Sequence, residues 1–433
     1  MKFNCHFKTL LLSACFSSTL LTSCDGEQSK VNKPYRAEIL KFVPSSTTSG
    51  ESWVVAEQEL ATLENLDTLE GSFFSMTLGG LIKINSNIGS LIDASSNSSP
   101  VRANLRYTLK NGVIVPRDTS TLLALSSYFA FEQTLAVLQE STGIDPNELK
   151  KNINGPYRIY FEPSLTEKDE NESAFLTPKL NAAFNPESND FYLFRRSELE
   201  SIPFSANIKV ISHEFGHALF KNSFNANSAE ICRTSEEEIN ARMADKFFSG
   251  RWSNEYAISG INEGFSDFNS YIVTSSTNVF TDSLPRFSSE SRSLTGPAFV
   301  FSQLTNDIVC SGRFYCIGTL FARALYGVAQ SYKNRSDLMA FSRRVYTALE
   351  KSRENLRASP AKDILPMPSK EAATCIRRSK LSLSYDGAIT SAFLAAFLQS
   401  FSAGEEKKNL CENLRNLFGN YGFSQEARIV CES

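Results

Sequence analysis

The stretch Ser212-His213-Glu214-Phe215-Gly216-His217-Ala218 decides how this chain of 433 residues is interpreted. It lies in an apolar run that predicts a helix, and two histidines four residues apart on a helix share one face. This pattern predicts a zinc site in which both imidazoles bind the metal and Glu214 acts as general base on a metal-bound water. The alternative is a buried helix that happens to carry two histidines.

The histidine content supports the zinc interpretation. The chain has 3 histidines, and the third, His6, lies in a segment that we expect to be removed. A catalytic zinc also needs a third protein ligand and one open position. The long metzincin motif would require glycine at position 220 and histidine at position 223, but Phe220 and Ser223 occupy them. That class is excluded, and the third ligand should be a carboxylate or a thiolate downstream.

Two acidic stretches are candidates for this ligand, the run Glu236-Glu237-Glu238 and the single Glu263. A ligating histidine usually donates its other ring proton to an outer acceptor, so Glu and Asp one helical turn apart can supply ligand and acceptor together. Asp267 lies four residues after Glu263, whereas no acid follows the run at that spacing. We therefore predict Glu263 as the ligand and Asp267 as the partner of His213. The acidic run is better explained as a solvated helix start.

The motif His213-Glu214-x-x-His217 followed by Asn262-Glu263-x-x-Ser266-Asp267 resembles the gluzincin metallopeptidases of the thermolysin and fungalysin type. The two motifs together are far more specific than either alone. The resemblance implies an α+β, thermolysin-like two-lobed fold, with a mixed β-sheet and the zinc helix in the N-terminal lobe and a mainly helical C-terminal lobe. It also implies a Zn²⁺-dependent peptidase acting on peptide or protein substrates. We expect an endopeptidase, and an exopeptidase is the nearest alternative.

The resemblance also suggests roles for further residues. In the family, an Asn-Ala pair on an edge strand binds the substrate main chain, and Asn181-Ala182 matches it in type and position. Tyr315 stands where the family has a histidine that stabilises the tetrahedral intermediate, and Arg313 is close by. Both side chains can donate to a developing oxyanion. Tyr256 is a second candidate for a tyrosine that family members use. The alternative for each position is a purely structural role.

The sequence departs from the family in two ways. The spacer between His217 and Glu263 is longer than usual, which predicts an insertion at about residues 224 to 256. The missing family histidine supports a second hypothesis, a zinc-binding lipoprotein on a peptidase frame that has lost turnover. The retained Glu214 argues against it, because a purely structural zinc needs no free base.

The first 24 residues predict export. Lys2 and Lys8 precede a short apolar run, which is typical of a secretory signal peptide over residues 1 to 23. Leu21-Thr22-Ser23-Cys24 resembles the bacterial lipobox, in which the cysteine becomes lipidated. Lipid on Cys24 would anchor the protein to a membrane of the bacterial cell envelope without spanning it. An ordinary cleaved signal and a retained anchor are the alternatives.

The charge and the cysteine content indicate which partners and which cellular compartment to expect. Losing residues 1 to 23 removes two lysines and no acid, so the formal net charge of −3 becomes −5. With no basic patch or recognition motif, we expect no nucleic-acid partner. Six cysteines follow Cys24, and an even number in an exported chain predicts disulfides. Cys310 with Cys316 and Cys411 with Cys431 are the candidate local pairs.

The remaining sequence divides into a tether at residues 24 to 34, a region at 35 to 99 and the metallopeptidase domain at 100 to 433. The pattern of residues 35 to 99 is weak and fits a small N-terminal domain or a prosegment. Asn111-Gly112 predicts a hairpin, and a second hairpin is expected between residues 180 and 194. Helices are predicted at residues 119 to 139 and 318 to 331, and the last part of the chain reads as helical.

Overall fold

Helices and mixed β-sheets combine in this chain, so the predicted α+β class is confirmed. The computed structural model describes residues 33–44, 52–85, 90–93, 103–149, 155–167, 175–176, 182–186, 188–194, 202–224, 254–280, 282–283, 292–296, 300, 313–358, 362–366, 374–378, 386–423 and 425–433. The signal peptide with Cys24, the acidic run and most of the expected insertion lie outside these residues.

The strands come mainly from the first half of the chain and the long helices from the second. The strands are β1 (Tyr35–Val43), β2 (Ser52–Leu60), β3 (Leu63–Asn65), β4 (Glu70–Gly71), β5 (Phe74–Leu78), β6 (Leu81–Asn85), β7 (Ser90–Asp93), β8 (Tyr107–Lys110), β9 (Val113–Pro116), β10 (Tyr157–Phe161), β11 (Ser164–Glu167), β12 (Phe175–Leu176), β13 (Ala182–Asn185), β14 (Asp190–Leu193), β15 (Lys362–Pro366) and β16 (Thr374–Arg378). The helices are α1 (Thr119–Thr142), α2 (Pro146–Leu149), α3 (Ile208–Phe224), α4 (Asn254–Thr274), α5 (Arg313–Ala329), α6 (Arg335–Ala358), α7 (Asp386–Leu398), α8 (Glu405–Gly422) and α9 (Gln425–Glu432), with a 3-10 turn at Phe204–Ala206.

Helix α1 lies in the middle of the hydrophobic core. Asp118 caps its start by accepting a hydrogen bond from the Thr121 N–H, and Gly143 ends it with a φ of 74°. The rings of Tyr128 and Phe131 are fully buried. Among the described residues α1 is long and apolar enough to cross a membrane, but 72% of its apolar window is buried in the fold, as for a core helix.

A six-stranded sheet supports the face where the candidate site lies. Its strand order is β13-β14-β10-β5-β4-β3, with β5, β10 and β14 parallel to one another and β13 antiparallel at the edge. Strands β13 and β14 form the second predicted hairpin. The first is also present, with Asn111 and Gly112 at φ values of 54° and 80° between β8 and β9, as this turn requires.

The region at 35 to 99 shares its sheets with the rest of the chain. Strand β5 pairs with β10 along its whole length, and β1 pairs with both β2 and β9. The expected boundary near residue 100 therefore does not separate two sheets. The local sequence pattern could not predict this arrangement, because the pairing partner of β5 lies about 80 residues further along the chain.

The second half packs as helices around α4, which contacts both α3 and α5. Gly264 on α4 and Gly318 on α5 allow an unusually close crossing, since a Cβ on Gly264 would overlap the carbonyl oxygen of Gly318. Helix α5 begins at Arg313, five residues before the predicted start at 318, so Tyr315 lies in its first turn and not ahead of it. The predicted disulfide between Cys411 and Cys431 is present and joins α8 to α9. Cys316 is also disulfide-bonded, and its predicted partner, Cys310, lies outside the described residues.

Candidate metal centre

The two histidines of the opening motif lie on α3 and face the same point. Their rings are 4.7 Å apart between centroids, His213 is buried and His217 is partly exposed. One potential ligand atom from each of His213, Glu214 and His217 lies within 4.8 Å of the other two. Helical spacing produces this arrangement, as the sequence predicts. Two carboxylates, Glu214 and Glu263, compete for the role of third ligand.

Glu263 on α4 has the geometry of a ligand shared between the histidines. Its Oε2 lies 3.3 Å from Nε2 of His213, and its Oε1 lies 3.7 Å from Nε2 of His217. Ligand atoms on a tetrahedral zinc with bonds of 2.0 to 2.2 Å are separated by about 3.3 to 3.5 Å. Glu263 therefore lies at ligand spacing from His213 and slightly beyond it from His217, through different oxygens of one carboxylate. Glu214 also lies close enough to share a cation with the two histidines.

Polar side chains lie beside Nδ1 of each imidazole. Nδ1 of His217 lies 3.0 Å from Oδ1 of Asn262 and 3.0 Å from Oγ of Ser266. Oδ1 of Asp267 lies 2.9 Å from Nδ1 of His213, which is an ion-pair distance, but the angle is not that of a hydrogen bond. Both Nε2 atoms thus remain directed at Glu263, as metal ligation requires.

Arg292 is a part of this site that the sequence interpretation missed. Its Nη2 donates to Oε2 of Glu263 at 3.0 Å and to Oδ1 of Asp267 at 2.7 Å, and its Nε donates to Oδ2 of Asp267 at 3.2 Å. The guanidinium also stacks on the rings of Phe280 and Tyr315, at 4.8 and 4.7 Å from their centroids. This arginine lies in a serine-rich stretch without helical or strand periodicity, so no local pattern marked it.

Carboxylates outnumber the guanidinium at this site. Glu214, Glu263 and Asp267 with the guanidinium of Arg292 give a formal charge of −2 when both histidines are neutral. Burial raises the pKa of Glu263, but the positive charges around the carboxylate have the larger, opposite effect. The pKa of Glu263 therefore lies below its usual range. Burial lowers the pKa of His213, but the carboxylates of Asp267 and Glu263 outweigh burial and raise it to about 9. Negative charge is thus concentrated where a cation would bind.

Glu214 faces the edge strand β13. Its Oε2 accepts a hydrogen bond of 3.0 Å from the backbone N–H of Phe184. Backbone groups alternate in direction along an antiparallel strand, so Ala182 directs its N–H and C=O to the same side, where no strand of the described residues pairs with β13. Ala182 thus lies on an edge strand, and its substrate-binding role stays a prediction. Its predicted companion, Asn181, is outside the described residues.

Tyr315 lies beside the carboxylates. Burial and the charges of Glu263, Glu214 and Asp267, partly offset by Arg292, raise its pKa to about 12. The phenol therefore stays protonated at neutral pH and can donate a hydrogen bond.

Arg313 and Tyr256 occupy the first turns of α5 and α4, and only their backbones are described. The structure thus brings Tyr315 to the site and leaves these two side chains untested.

No protein-family model matches this sequence, and no curated protein matches it either. The chemistry of the site therefore has to be judged from its own geometry. That geometry offers two imidazoles and a carboxylate, a second carboxylate beside them, and a strand next to it that is at the edge of the sheet formed by the described residues.

Proposed function

We propose that this chain is a zinc-dependent peptidase of the thermolysin-like, two-lobed type, with His213, His217 and Glu263 as ligands. The observation that carries the proposal is the approach of Glu263 to both Nε2 atoms at 3.3 and 3.7 Å. On the other side of the rings, Nδ1 of His217 is 3.0 Å from Asn262 and Nδ1 of His213 is 2.9 Å from Asp267. The formal charge of −2, which applies once metal binding keeps both histidines neutral, supports a divalent cation. The mixed sheet with an antiparallel edge strand above the zinc helix, and the helical second half, are compatible with this fold.

Bound zinc would supply a Lewis acid that polarises a carbonyl and lowers the pKa of a water toward about 7. Glu214 then accepts the proton of the attacking water and passes it to the leaving amine. Tyr315 donates its O–H to the developing oxyanion. An extended substrate adds to the free edge of β13 near Ala182, since backbone hydrogen bonds to an open edge hold a peptide in register.

We further propose that the protein is exported and anchored by lipid on Cys24 to the bacterial cell envelope. The Leu21-Thr22-Ser23-Cys24 stretch and the apolar run before it support this. Mass spectrometry of the membrane fraction would detect a lipidated N-terminal peptide beginning at Cys24. A wild-type chain found only in the soluble fraction, with an unmodified N-terminus, would contradict it.

The activity is tested with the soluble form that begins after Cys24. Bound zinc is counted first, and one equivalent is expected. Digestion of an unfolded general substrate is then compared for wild type and Glu214→Gln, each with and without a zinc chelator. We expect wild type to cut, and both the substitution and the chelator to reduce cutting by at least about 10³-fold.

The outcomes separate the alternatives. Less than a tenth of an equivalent of zinc in wild type would sink the metallopeptidase proposal. Full zinc occupancy in wild type, with no more cutting of any substrate than by Glu214→Gln, would favour the zinc-binding lipoprotein without turnover. Blocked and unblocked peptides compared as substrates distinguish an endopeptidase from an exopeptidase.

A further inference from the structure

A buried lysine lies on α3, one helical turn before His213, and has no part in the proposed mechanism. Lys209 is completely buried, and its Nζ pairs with Oδ2 of Asp282 at 2.9 Å. Nζ also lies 4.8 Å from the centroid of the Phe42 ring. A buried charge is costly to maintain unless it is paired and hydrogen-bonded. The pair therefore fixes Asp282 against the start of α3.

The N-terminal strands hold the same carboxylate. Nε1 of Trp53 donates to Oδ2 of Asp282 at 3.0 Å, across 229 positions of sequence. Trp53 on β2 is paired with Phe42 on β1, and their rings are 5.3 Å apart. The β1–β2 pair thus supplies both the indole donor and the aromatic face over Lys209. Asp282 is the point where this pair, α3 and the segment after α4 meet.

The segment held by Asp282 continues into the candidate metal centre. Phe280, two residues earlier, lies with its ring 5.7 Å from His213 and 4.8 Å from the guanidinium of Arg292. Ser283 adds further ties, since its Oγ donates to the carbonyl of Ile202 and accepts from Nδ2 of Asn207. The wall beside His213 and Arg292 is therefore attached to the N-terminal strands.

We propose that Trp53, Asp282 and Lys209 are positioning residues, through which the β1–β2 pair keeps Phe280 against His213 and Arg292. The N-terminal strands would then be a permanent part of the active-site frame and not a prosegment to be discarded. Only the kinetic part of the test rests on the proposed peptidase function, because the positions of these residues can be measured without turnover.

The test compares hydrogen exchange and kinetics in the soluble form for Asp282→Asn, Trp53→Phe and a control, Glu406→Gln. Glu406 is suited as control because it also accepts from two side chains, Tyr332 and Arg344, but joins α6 to α8. In Asp282→Asn we expect the amide hydrogen-exchange rates in residues 276 to 283 and 208 to 217 to rise by about tenfold, and in Trp53→Phe by about threefold. In the control, the exchange rates of both peptides should stay within about twofold of the wild-type rates.

A double variant separates positioning from stability. Lys209→Met with Asp282→Asn removes the unpaired buried charge, so the melting temperature should recover relative to Asp282→Asn alone. Hydrogen exchange in residues 276 to 283 should stay fast, since the carboxylate that Trp53 and Lys209 bind in wild type is still missing. Where wild type is active, kcat should fall about tenfold in Asp282→Asn with KM changed less than about threefold.

Failure of this inference is distinct from failure of the peptidase proposal. Exchange that is unchanged in Asp282→Asn, or that rises equally over the whole chain, would overturn the positioning role even in an active enzyme. A wild type without zinc or activity would overturn the peptidase proposal, and the exchange data would still decide whether the N-terminal strands hold this wall.

Discussion

Gly216 on α3 and Ser266 on α4 touch backbone to backbone, since a Cβ on Gly216 would lie 2.6 Å from the Cα of Ser266. Gly216 stands directly before His217, and Ser266 directly before Asp267. The same Ser266 places its Oγ 3.0 Å from Nδ1 of His217. This contact therefore sets the separation of the two helices that carry the proposed ligands.

Replacing this glycine should weaken metal binding more than it weakens the fold. A methyl group in Gly216→Ala would push α4 away by several tenths of an ångström and displace the Ser266 hydroxyl from His217. We expect the zinc dissociation constant to rise about 10- to 100-fold, as for other changes to the outer partners of a metal site. Competition with a chromophoric chelator at neutral pH measures this.

Gly327→Ala on α5 is the matched control. Its new Cβ would meet Nδ2 of Asn413 at 2.7 Å, away from the metal centre, and the end of that side chain can move without shifting a helix. Zinc affinity should stay at the wild-type level in this variant. Equal affinity in both variants would show that the helix contact does not control the ligand geometry.

Tyr315→Phe should affect catalysis and leave metal binding intact. The substitution removes only the hydroxyl, which a pKa of about 12 keeps protonated at neutral pH. We expect kcat to fall about 10² to 10³-fold with zinc affinity unchanged, the effect of losing an oxyanion donor. Tyr271→Phe, a change on α4 beside Tyr326, serves as control. A kcat within threefold of wild type would assign Tyr315 a packing role.

The parts of the site that follow helical periodicity could be predicted from the sequence. Two histidines four residues apart share a face wherever the helix packs, and the same holds for Glu263 and Asp267. The structure indeed brings these two acids to His213. The zinc ion itself and the catalytic step stay predictions, because geometry alone does not measure either.

The parts that depend on contacts between distant segments could not be predicted. Arg292 reaches Asp267 from 25 positions away, and Trp53 reaches Asp282 across 229 positions. No local pattern encodes such pairs, since each depends on how whole elements pack. The sheet shows the same limit, because the parallel pairing of β5 with β10 joins a weakly patterned region to a clear one. The hairpins and the disulfide between Cys411 and Cys431 could be predicted, because each joins residues that are close in sequence.

Glu132 on α1 should make stability depend on pH. It is buried and accepts hydrogen bonds from the N–H and the hydroxyl of Thr62 at 2.6 and 2.5 Å. Burial raises its pKa above the ordinary value, and the bonds from Thr62 offset only part of that. The contribution of Glu132 to the free energy of unfolding is therefore complete below the pKa that this residue has in the unfolded chain. It is lost as pH rises through the higher pKa of the folded state.

Glu132→Gln, which cannot titrate, isolates this effect. The free energy of unfolding of the variant relative to wild type should increase from pH 4 to pH 7, by about 1.4 kcal/mol for each unit by which the folded pKa is raised. Urea unfolding at several pH values, with the same metal content in both proteins, gives the difference. A constant difference across this range would mean that the folded state does not shift this pKa.

The bond between Cys411 and Cys431 should stabilise the C-terminal helices. It closes a sequence separation of 20 residues and fastens the short α9 to α8, while Cys411 itself is buried at 4% exposure. Closing a loop of this size restricts the unfolded chain and is worth about 2 to 4 kcal/mol. The Cys411→Ser and Cys431→Ser double variant should therefore melt several degrees below wild type. A reductant should lower the wild-type melting temperature toward the variant's and change the variant less. Equal melting temperatures for both proteins under oxidising conditions would show that the bond does not stabilise the folded chain.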